Sequence, residues 1–147
     1  MKYIHYGCKS FQRERFMPVR NRERGFITKP YGGFWASPVS TRYGWKDFCV
    51  RGDFETDLTQ FFTFTLSKKA KVLKIKSFDD LAGLPRTSVE PFEDEVYLDF
   101  ESLAKRWDAI EVTFYRGGLL LYDLVNALRF WDCDSLLVLN PDVIVCS

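Results

Sequence analysis

The sequence predicts a single α+β domain in which strands and helices are mixed. Its 147 residues are close to the commonest size of one domain, and neither an internal repeat nor a low-complexity linker divides them. Hydrophobic residues make up 46% of the chain and charged residues 28%, which is typical of a globular protein with a buried core. Because strand-like and helix-like segments do not follow a strict βαβ succession, α+β is favoured over a doubly wound parallel sheet.

Alternating apolar residues and turn residues predict the elements of the first half. The predicted strands are 3–6, ended by Gly7; 33–37, entered through Gly32 and Gly33; 61–66, where Phe and Thr alternate; and 71–76, where Lys alternates with Val, Leu and Ile. Residues 8–30 are polar and basic, which predicts a long loop with at most a helical turn. Ser40 or Thr41 is the predicted cap of a helix that runs through Cys49.

Helical spacing and apolar runs predict the second half. A short helix is expected at 78–84, and a second helix is expected from Asp99 through Trp107. Strands are expected at 109–114, at 135–139 and, more briefly, at 143–145. Between the first two of these strands, residues 119–130 carry apolar side chains at helical spacing, so a further helix is predicted there.

Composition limits the functional classes. The net charge of +1 gives no overall attraction to nucleic acid or to a membrane. Five arginines lie between positions 13 and 24, and they either face water beside Glu14 and Glu23 or contact phosphates. Four cysteines without CxxC spacing and one histidine predict no metal site. The chain shows no signal peptide and no run of 18 apolar residues, so we expect a cytoplasmic protein with reduced thiols and no membrane partner.

Two segments of the first 45 residues are candidates for ligand binding. His5 is predicted at the end of a strand, where a lone histidine is most often structural, but Gly7 lets a ligand approach the backbone closely. In the segment 29–38, a period of two places Trp35 and Ser37 on one strand face. Trp35 either stacks on a planar ligand with Ser37 beside it or is a core tryptophan next to a glycine bulge. The residues alone leave both interpretations open.

Two carboxylates are candidates for catalysis. Glu111 falls inside a predicted strand and Asp134 falls at the start of the next one. A carboxylate in such a position is costly unless it is paired or exposed. An exposed sheet face would explain Glu111 equally well. The two standard phosphate-binding loops, G-x-G-x-x-G and G-x-x-x-x-G-K-[ST], are absent.

Four features in chain order resemble the ADP-ribosyltransferase superfamily, in its histidine–tyrosine–glutamate group. They are His5-Tyr6-Gly7 on the first strand, Gly33-Phe34-Trp35-Ala36-Ser37 on the second, the helix Thr41–Cys49 directly after it, and the closing segment Asp134-Ser135-Leu136-Leu137-Val138-Leu139-Asn140-Pro141-Asp142-Val143-Ile144. Tryptophan stands where that group has tyrosine, and Tyr6 separates the histidine from its glycine. The position of the closing glutamate falls on Ser135 or, one step away, on Asp134.

The resemblance implies a split β-sheet with flanking helices and NAD⁺ bound in a cleft between its halves. It implies that His5 hydrogen-bonds a ribose hydroxyl, that the Gly7 backbone anchors the nicotinamide amide, and that Trp35 stacks on the nicotinamide ring. Tyr6, Gly33 and Ser37 complete the implied cofactor site. Asp134, or in second place Glu111, would stabilise the positive charge that develops as nicotinamide leaves.

Three functions follow as expectations. The first is NAD-dependent transfer of ADP-ribose to a protein or nucleic acid, in which the arginine-rich loop holds pyrophosphate or an anionic target. The second is a catalytically inactive module on the same fold that binds a nucleotide or a partner protein. The third is a nucleic-acid-binding domain, against which the near-neutral charge counts.

Overall fold

The computed structural model describes residues 1–91, 97–113, 128 and 131–146, which form an α+β domain in which sheet predominates. This confirms the predicted α+β class. The strands are β1 (Lys2–Tyr6), β2 (Phe34–Pro38), β3 (Phe61–Leu66), β4 (Val72–Ile75), β5 (Arg86–Thr87), β6 (Tyr97–Leu98), β7 (Ala109–Val112), β8 (Ser135–Val138) and β9 (Ile144–Cys146), and the helices are α1 (Trp45–Gly52) and α2 (Phe100–Leu103). Short 3₁₀ turns lie at Arg13–Arg15, Phe78–Leu81 and Pro141–Val143.

Seven of these strands form one sheet in the order β4-β7-β8-β2-β1-β3-β9, and β5 and β6 form a separate two-stranded ribbon. Strands β4 and β7 are parallel, and the other pairs in the sheet are antiparallel. Every residue of β7 and β8 is buried. Apolar side chains therefore cover both faces of the central strands, as their nearly continuous apolar sequences require.

Strand β2 divides its pairing between two neighbours, and this division shapes the site. Its residues 34–36 pair with β8, whereas only Ser37 and Pro38 pair with β1. The β1 partners are Ile4 and Tyr3, so the paired register between β1 and β2 stops before His5. Beyond Ile4, β1 continues its pairing with β3 alone. An opening therefore lies between the end of β1 and the start of β2.

Alternation along β2 sends its side chains into two different core clusters. Phe34 and Ala36 pack with Tyr3, Phe64 and Leu136 on one face of the sheet. Trp35 packs on the opposite face, which confirms the predicted alternation of side chains along β2. The cluster there consists of Val19, Leu73, Ile75, Leu81, Leu98, Phe100, Leu103, Ile110, Val112, Leu128, Trp131, Leu137 and Leu139.

Strand positions follow the sequence closely, but the start of the first helix was predicted wrongly. Helix α1 begins at Trp45 rather than near Thr41. Its early N–H groups are satisfied by the Ser37 hydroxyl, which accepts from Trp45 N at 2.9 Å, and by Asp47, which accepts from Gly44 N at 2.9 Å. The Thr41 hydroxyl instead donates to Asp134 at 2.5 Å.

The second helix is shorter than predicted. Asp99 caps it as expected, since its carboxylate accepts from Ser102 N at 3.0 Å. Regular α-helix ends at Leu103, and turns carry the chain to β7. The ribbon of β5 and β6 was not predicted, because two-residue strands carry no periodic signal. The predicted helix at 119–130 lies outside the described residues except at Leu128.

A buried hydrogen bond joins two distant strands within the sheet. The Tyr3 hydroxyl on β1 donates to the Glu111 carboxylate on β7 at 2.5 Å, and Glu111 is only 4% exposed. Burial, reinforced by this hydrogen bond and by the Glu111 charge, raises the pKa of Tyr3 above its usual 10.0. Glu111 is therefore a paired core carboxylate rather than a residue of an exposed sheet face.

We expect Tyr3→Phe to lower the free energy of unfolding by about 1–3 kcal/mol, because it leaves the Glu111 carboxylate buried without its donor. Chemical denaturation at pH 7 measures the change. Tyr31→Phe is the matched control, since Tyr31 is half exposed and removal of its hydroxyl should cost little stability. The raised pKa stabilises the folded state below pH 10, and this contribution is lost as pH rises through the Tyr3 pKa. Equal effects of the two substitutions would contradict this role of Tyr3.

Candidate functional site

A cavity of about 380 Å³ lies where β1 and β2 separate. Its volume is at the lower end of the range for small-molecule pockets, roughly 300–1,000 Å³. It brings together residues from both ends of the chain. The lining residues are Ile4, His5, Tyr6, Lys29, Trp35, Ala36, Ser37, Trp45, Thr56, Asp132, Cys133 and Ser135. Four of the residues predicted from sequence, His5, Tyr6, Trp35 and Ser37, are among them.

His5 bridges the opening between the two strands. Its Nδ1 lies 2.6 Å from the Trp35 carbonyl oxygen. Because a carbonyl oxygen only accepts hydrogen bonds, Nδ1 carries a proton, and in the neutral ring Nε2 is an acceptor. Phe34 and Phe62 pack against the ring at centroid distances of 4.5 and 5.7 Å. The imidazole is thus held in one orientation with its second nitrogen available to a ligand hydroxyl.

The environment of His5 favours its neutral form. Burial lowers the pKa of His5 from its usual 6.5, and the hydrogen bond to Trp35 opposes this only in part. At neutral pH the ring is therefore uncharged. A neutral imidazole that donates through Nδ1 can accept a hydrogen bond through Nε2, which suits a sugar hydroxyl.

Trp35 is both a cavity wall and a partner of the core. Its ring contacts Trp131 edge-on at a centroid distance of 4.9 Å, and it packs against the larger core cluster. Trp35 is therefore a core side chain that also lines the cavity. The cavity is mainly apolar around this ring, as expected of a site for a planar ligand.

Ser37 links the cavity wall to the helix. Its hydroxyl accepts from Trp45 N, the first N–H of α1, and its side chain also hydrogen-bonds the Cys133 thiol. Burial raises the pKa of Cys133 to about 12. That thiol stays protonated at neutral pH, so it is not a nucleophile. Ser37 and Cys133 therefore shape the cavity and supply no reactive group.

An ion pair in the wall was not recognised in the sequence. The Lys29 ammonium contacts the Asp132 carboxylate, and their side chains are 26% and 22% exposed. The same ammonium lies over the Trp35 ring, 5.7 Å from its centroid. Lys29 and Asp132 are 103 residues apart, so no local pattern joined them. Asp132 is the one carboxylate among the described lining residues.

The two carboxylates predicted as catalytic are engaged elsewhere. Asp134 is 4% exposed, accepts from the Thr41 hydroxyl, and connects the start of β8 to the segment before α1. Glu111 is held by Tyr3 on the sheet face that carries Ala36 and Leu136. Neither is among the described residues that line the cavity, whereas Ser135 is. Of the two positions proposed for the closing acid, the one that faces the cavity thus carries a hydroxyl.

The two predicted glycines lie beside the cavity rather than in its lining. Gly7 follows β1 with a φ of 105°, and its N–H donates to the Gln60 carbonyl at 2.8 Å. Gly33 precedes β2 with a φ of 69°, and a Cβ built there would lie 2.4 Å from Leu137 Cδ1. The structure therefore requires glycine at position 33 for backbone conformation and close packing.

We expect Gly33→Ala to lower the free energy of unfolding by about 1–3 kcal/mol, because the added methyl meets Leu137 and the backbone is in the left-handed region. Gly52→Ala is the control, since a Cβ at that helical position meets no atom within 4 Å. Thermal or chemical unfolding of both variants measures the difference. A Gly33→Ala protein as stable as the Gly52→Ala protein would show that the packing at Gly33 is looser than described.

The arginine-rich loop forms a second, polar groove of about 690 Å³. Arg20, Arg22 and Arg24 share it with Glu23, Glu90 and Glu101, so it is not a uniformly basic surface. The Arg22 guanidinium lies 4.3 Å from the centre of the Tyr31 ring and donates to the Lys29 carbonyl at 2.6 Å. Arg22 thereby braces the backbone of the residue that carries the cavity's ammonium group.

No protein-family model, no curated protein and no solved structure matches this chain. Within the described segments, no helix is both long enough and apolar enough to cross a membrane. The same segments contain no group of three or more His, Cys, Asp or Glu side chains placed to hold a metal ion. Function is therefore inferred from the residues of the cavity.

Proposed function

We propose that this chain binds NAD⁺ in the cavity between β1 and β2 and transfers ADP-ribose to a protein or nucleic-acid target. The observation that carries the proposal is the convergence of His5, Trp35 and Ser37 on one cavity at the point where the two strands separate. These residues lie on two separate segments of the sequence. Their convergence is the arrangement that the resemblance to ADP-ribosyltransferases implies.

Each wall of the cavity suits one part of the nicotinamide ribose. The neutral His5 ring offers Nε2 to a ribose hydroxyl, and the Trp35 ring offers a flat apolar surface to the nicotinamide. A volume of about 380 Å³ suits this half of the dinucleotide, and the adenosine half would extend outside. We assign the negative field to Asp132, because it is the carboxylate in the described lining.

Catalysis in this scheme is electrostatic. Nicotinamide is a good leaving group, so the protein needs to hold the ribose in position and to place negative charge near the positive charge that develops on it. Asp132 meets the second requirement once its carboxylate faces the sugar. The resemblance implies Asp134 or Glu111 in this role, but Thr41 and Tyr3 hold those carboxylates outside the described lining.

A second candidate is the catalytically inactive module, which binds a nucleotide or a partner without transfer. The observation that favours it is Ser135, a hydroxyl at the cavity-facing start of β8. If Asp132 stays paired with Lys29 when the ligand is bound, the site lacks a free acid and only binds. The two candidates differ in turnover and share NAD⁺ binding.

Labelled NAD⁺ and a cell lysate distinguish the two candidates. The transferase predicts a labelled macromolecule with the native chain and loss of that label with His5→Ala. The inactive module predicts that NAD⁺ binds while neither labelled product nor free nicotinamide accumulates. Absence of both binding and turnover at millimolar NAD⁺ would overturn the proposal as a whole.

A further inference from the structure

The cavity contains its own cation, and that cation is paired with the carboxylate that a positively charged ligand ring would contact. The Lys29 ammonium lies over the Trp35 ring and contacts the Asp132 carboxylate at the same time. An aromatic face and a carboxylate together form a cation site, because both attract positive charge and water is partly excluded. The Lys29 and Asp132 side chains are both about three-quarters buried, so solvent screens this pair less than it screens a surface ion pair.

The ion pair joins two segments that are distant in sequence. Asp132 lies just before β8 and Lys29 lies shortly before β2. These strands are antiparallel, so their pairing alone does not bring the two side chains together, and the contact is made by the segments that lead into the strands. Arg22 holds the Lys29 backbone, because its guanidinium donates to the Lys29 carbonyl while it lies over the Tyr31 ring. The ammonium itself is carried on a flexible stem of four carbons, so it can swing away while the backbone stays fixed.

We propose that Lys29 is a displaceable internal cation, and that the cavity selects ligands with a positively charged ring, which replace its ammonium between Trp35 and Asp132. This inference deepens the proposed function and rests on it for the identity of the ligand, the pyridinium ring of NAD⁺. Oxidised NAD⁺ carries that charge and NADH does not. Displacement of Lys29 also releases Asp132 to face the ligand's positive charge.

Displacement of Lys29 by the ligand predicts whether removal of Lys29 strengthens or weakens binding. A lysine that contacts a bound phosphate or carboxamide stabilises the complex, so its removal weakens binding. A lysine that competes with the ligand's own charge for Asp132 opposes the complex, so its removal strengthens binding of a cation. A neutral ring does not compete for Asp132 and leaves the ion pair in place, so its binding changes little. The sign of the effect of Lys29 therefore separates the two roles.

The test uses two rings that differ in charge, 1-methylnicotinamide as the cation and nicotinamide as the neutral ring. Titration calorimetry measures both against the native chain, Lys29→Met, Lys29→Gln and Lys29→Arg. We expect the two neutral variants to bind the cation about fivefold tighter or more than the native chain, with less than a twofold change for nicotinamide. Lys29→Arg keeps the internal cation and should resemble the native chain. Lys46→Met, on the exposed side of α1, is the surface control.

Weaker binding of 1-methylnicotinamide by both neutral variants would overturn the inference, and so would an equal gain for both rings. Lys29→Gln guards against a packing effect of methionine, and thermal unfolding of each variant verifies that the fold is kept. The proposed function fails separately, if the native chain neither binds nor consumes NAD⁺. In that case a selective gain for the cation in Lys29→Met would still support a cation site at Trp35 and Asp132.

Discussion

Replacing Asp132 by asparagine is expected to lower the rate of ADP-ribose transfer about a hundredfold or more, the usual cost of losing one group that stabilises transition-state charge. The amide preserves the size of the side chain and removes its negative charge. Asp132 is the carboxylate among the described cavity-lining residues, and in the structure it forms an ion pair with Lys29. Release of nicotinamide from NAD⁺, with and without a labelled target, measures the effect.

Asp134→Asn and Glu111→Gln are the comparisons for Asp132→Asn. Their carboxylates are held by Thr41 and Tyr3, so we expect both substitutions to change stability and to leave the turnover of folded protein within a few-fold of native. Stability and turnover are therefore measured on the same samples. If Asp134→Asn abolished turnover while Asp132→Asn did not, the assignment of the acid to Asp132 would be wrong.

His5→Ala is expected to weaken NAD⁺ binding about tenfold, which corresponds to one hydrogen bond to a ribose hydroxyl together with lost positioning. The native site should also depend on pH. Burial lowers the pKa of His5 from 6.5, so the ring is neutral at pH 7 and its Nε2 accepts. As pH falls through that lowered pKa, Nε2 becomes a donor and the ring adds a positive charge beside the ligand's own cation. Affinity should therefore be constant above pH 7 and should fall in acid.

The His5→Ala protein supplies the control for this pH dependence. His5 is the single histidine of the chain, so the variant should show a flat affinity across the same range. The folding stability of the native chain should also decrease as pH falls. Because the unfolded chain takes up the proton first, the contribution of His5 is present above pH 6.5 and is lost as pH falls below it. An acid-dependent affinity that persisted in His5→Ala would exclude His5 as its source.

Strand positions could be predicted from the sequence because their signal is local. Alternation in 61–66 matches β3 at both ends, and the glycine-entered segment 33–37 matches β2 to within one residue. The start of α1 could not be predicted in this way. Thr41 is a good cap by type, but its hydroxyl is taken by Asp134, and Ser37 satisfies the helix instead. The Thr41–Asp134 contact joins residues 93 positions apart, so it exists only in the folded chain.

The site shows the same division between local and distant information. The side chains of Trp35 and Ser37 share a face because of the period of the strand, and the sequence contains that fact. The Lys29–Asp132 contact and the Tyr3–Glu111 hydrogen bond span 103 and 108 residues, and these partners meet only in the folded chain. The predicted acids were identified by their positions, Glu111 inside a predicted strand and Asp134 at the start of the next one. Their partners, which decide whether they face the cavity, were not visible in the sequence.

The most direct test of the central claim is whether NAD⁺ binds in this cavity. Thr56 lines the cavity from the segment after α1, outside regular structure, so Thr56→Trp should fill the space without disturbing the sheet. Its neighbour Glu55 is exposed and is not part of the described lining, which makes Glu55→Trp a matched control of equal bulk. Calorimetry with NAD⁺ at up to millimolar concentration measures both variants and the native chain. We predict saturable binding to the native chain and to Glu55→Trp, and at least tenfold weaker binding to Thr56→Trp. Equal affinity in all three proteins, or no binding to the native chain, would contradict the claim.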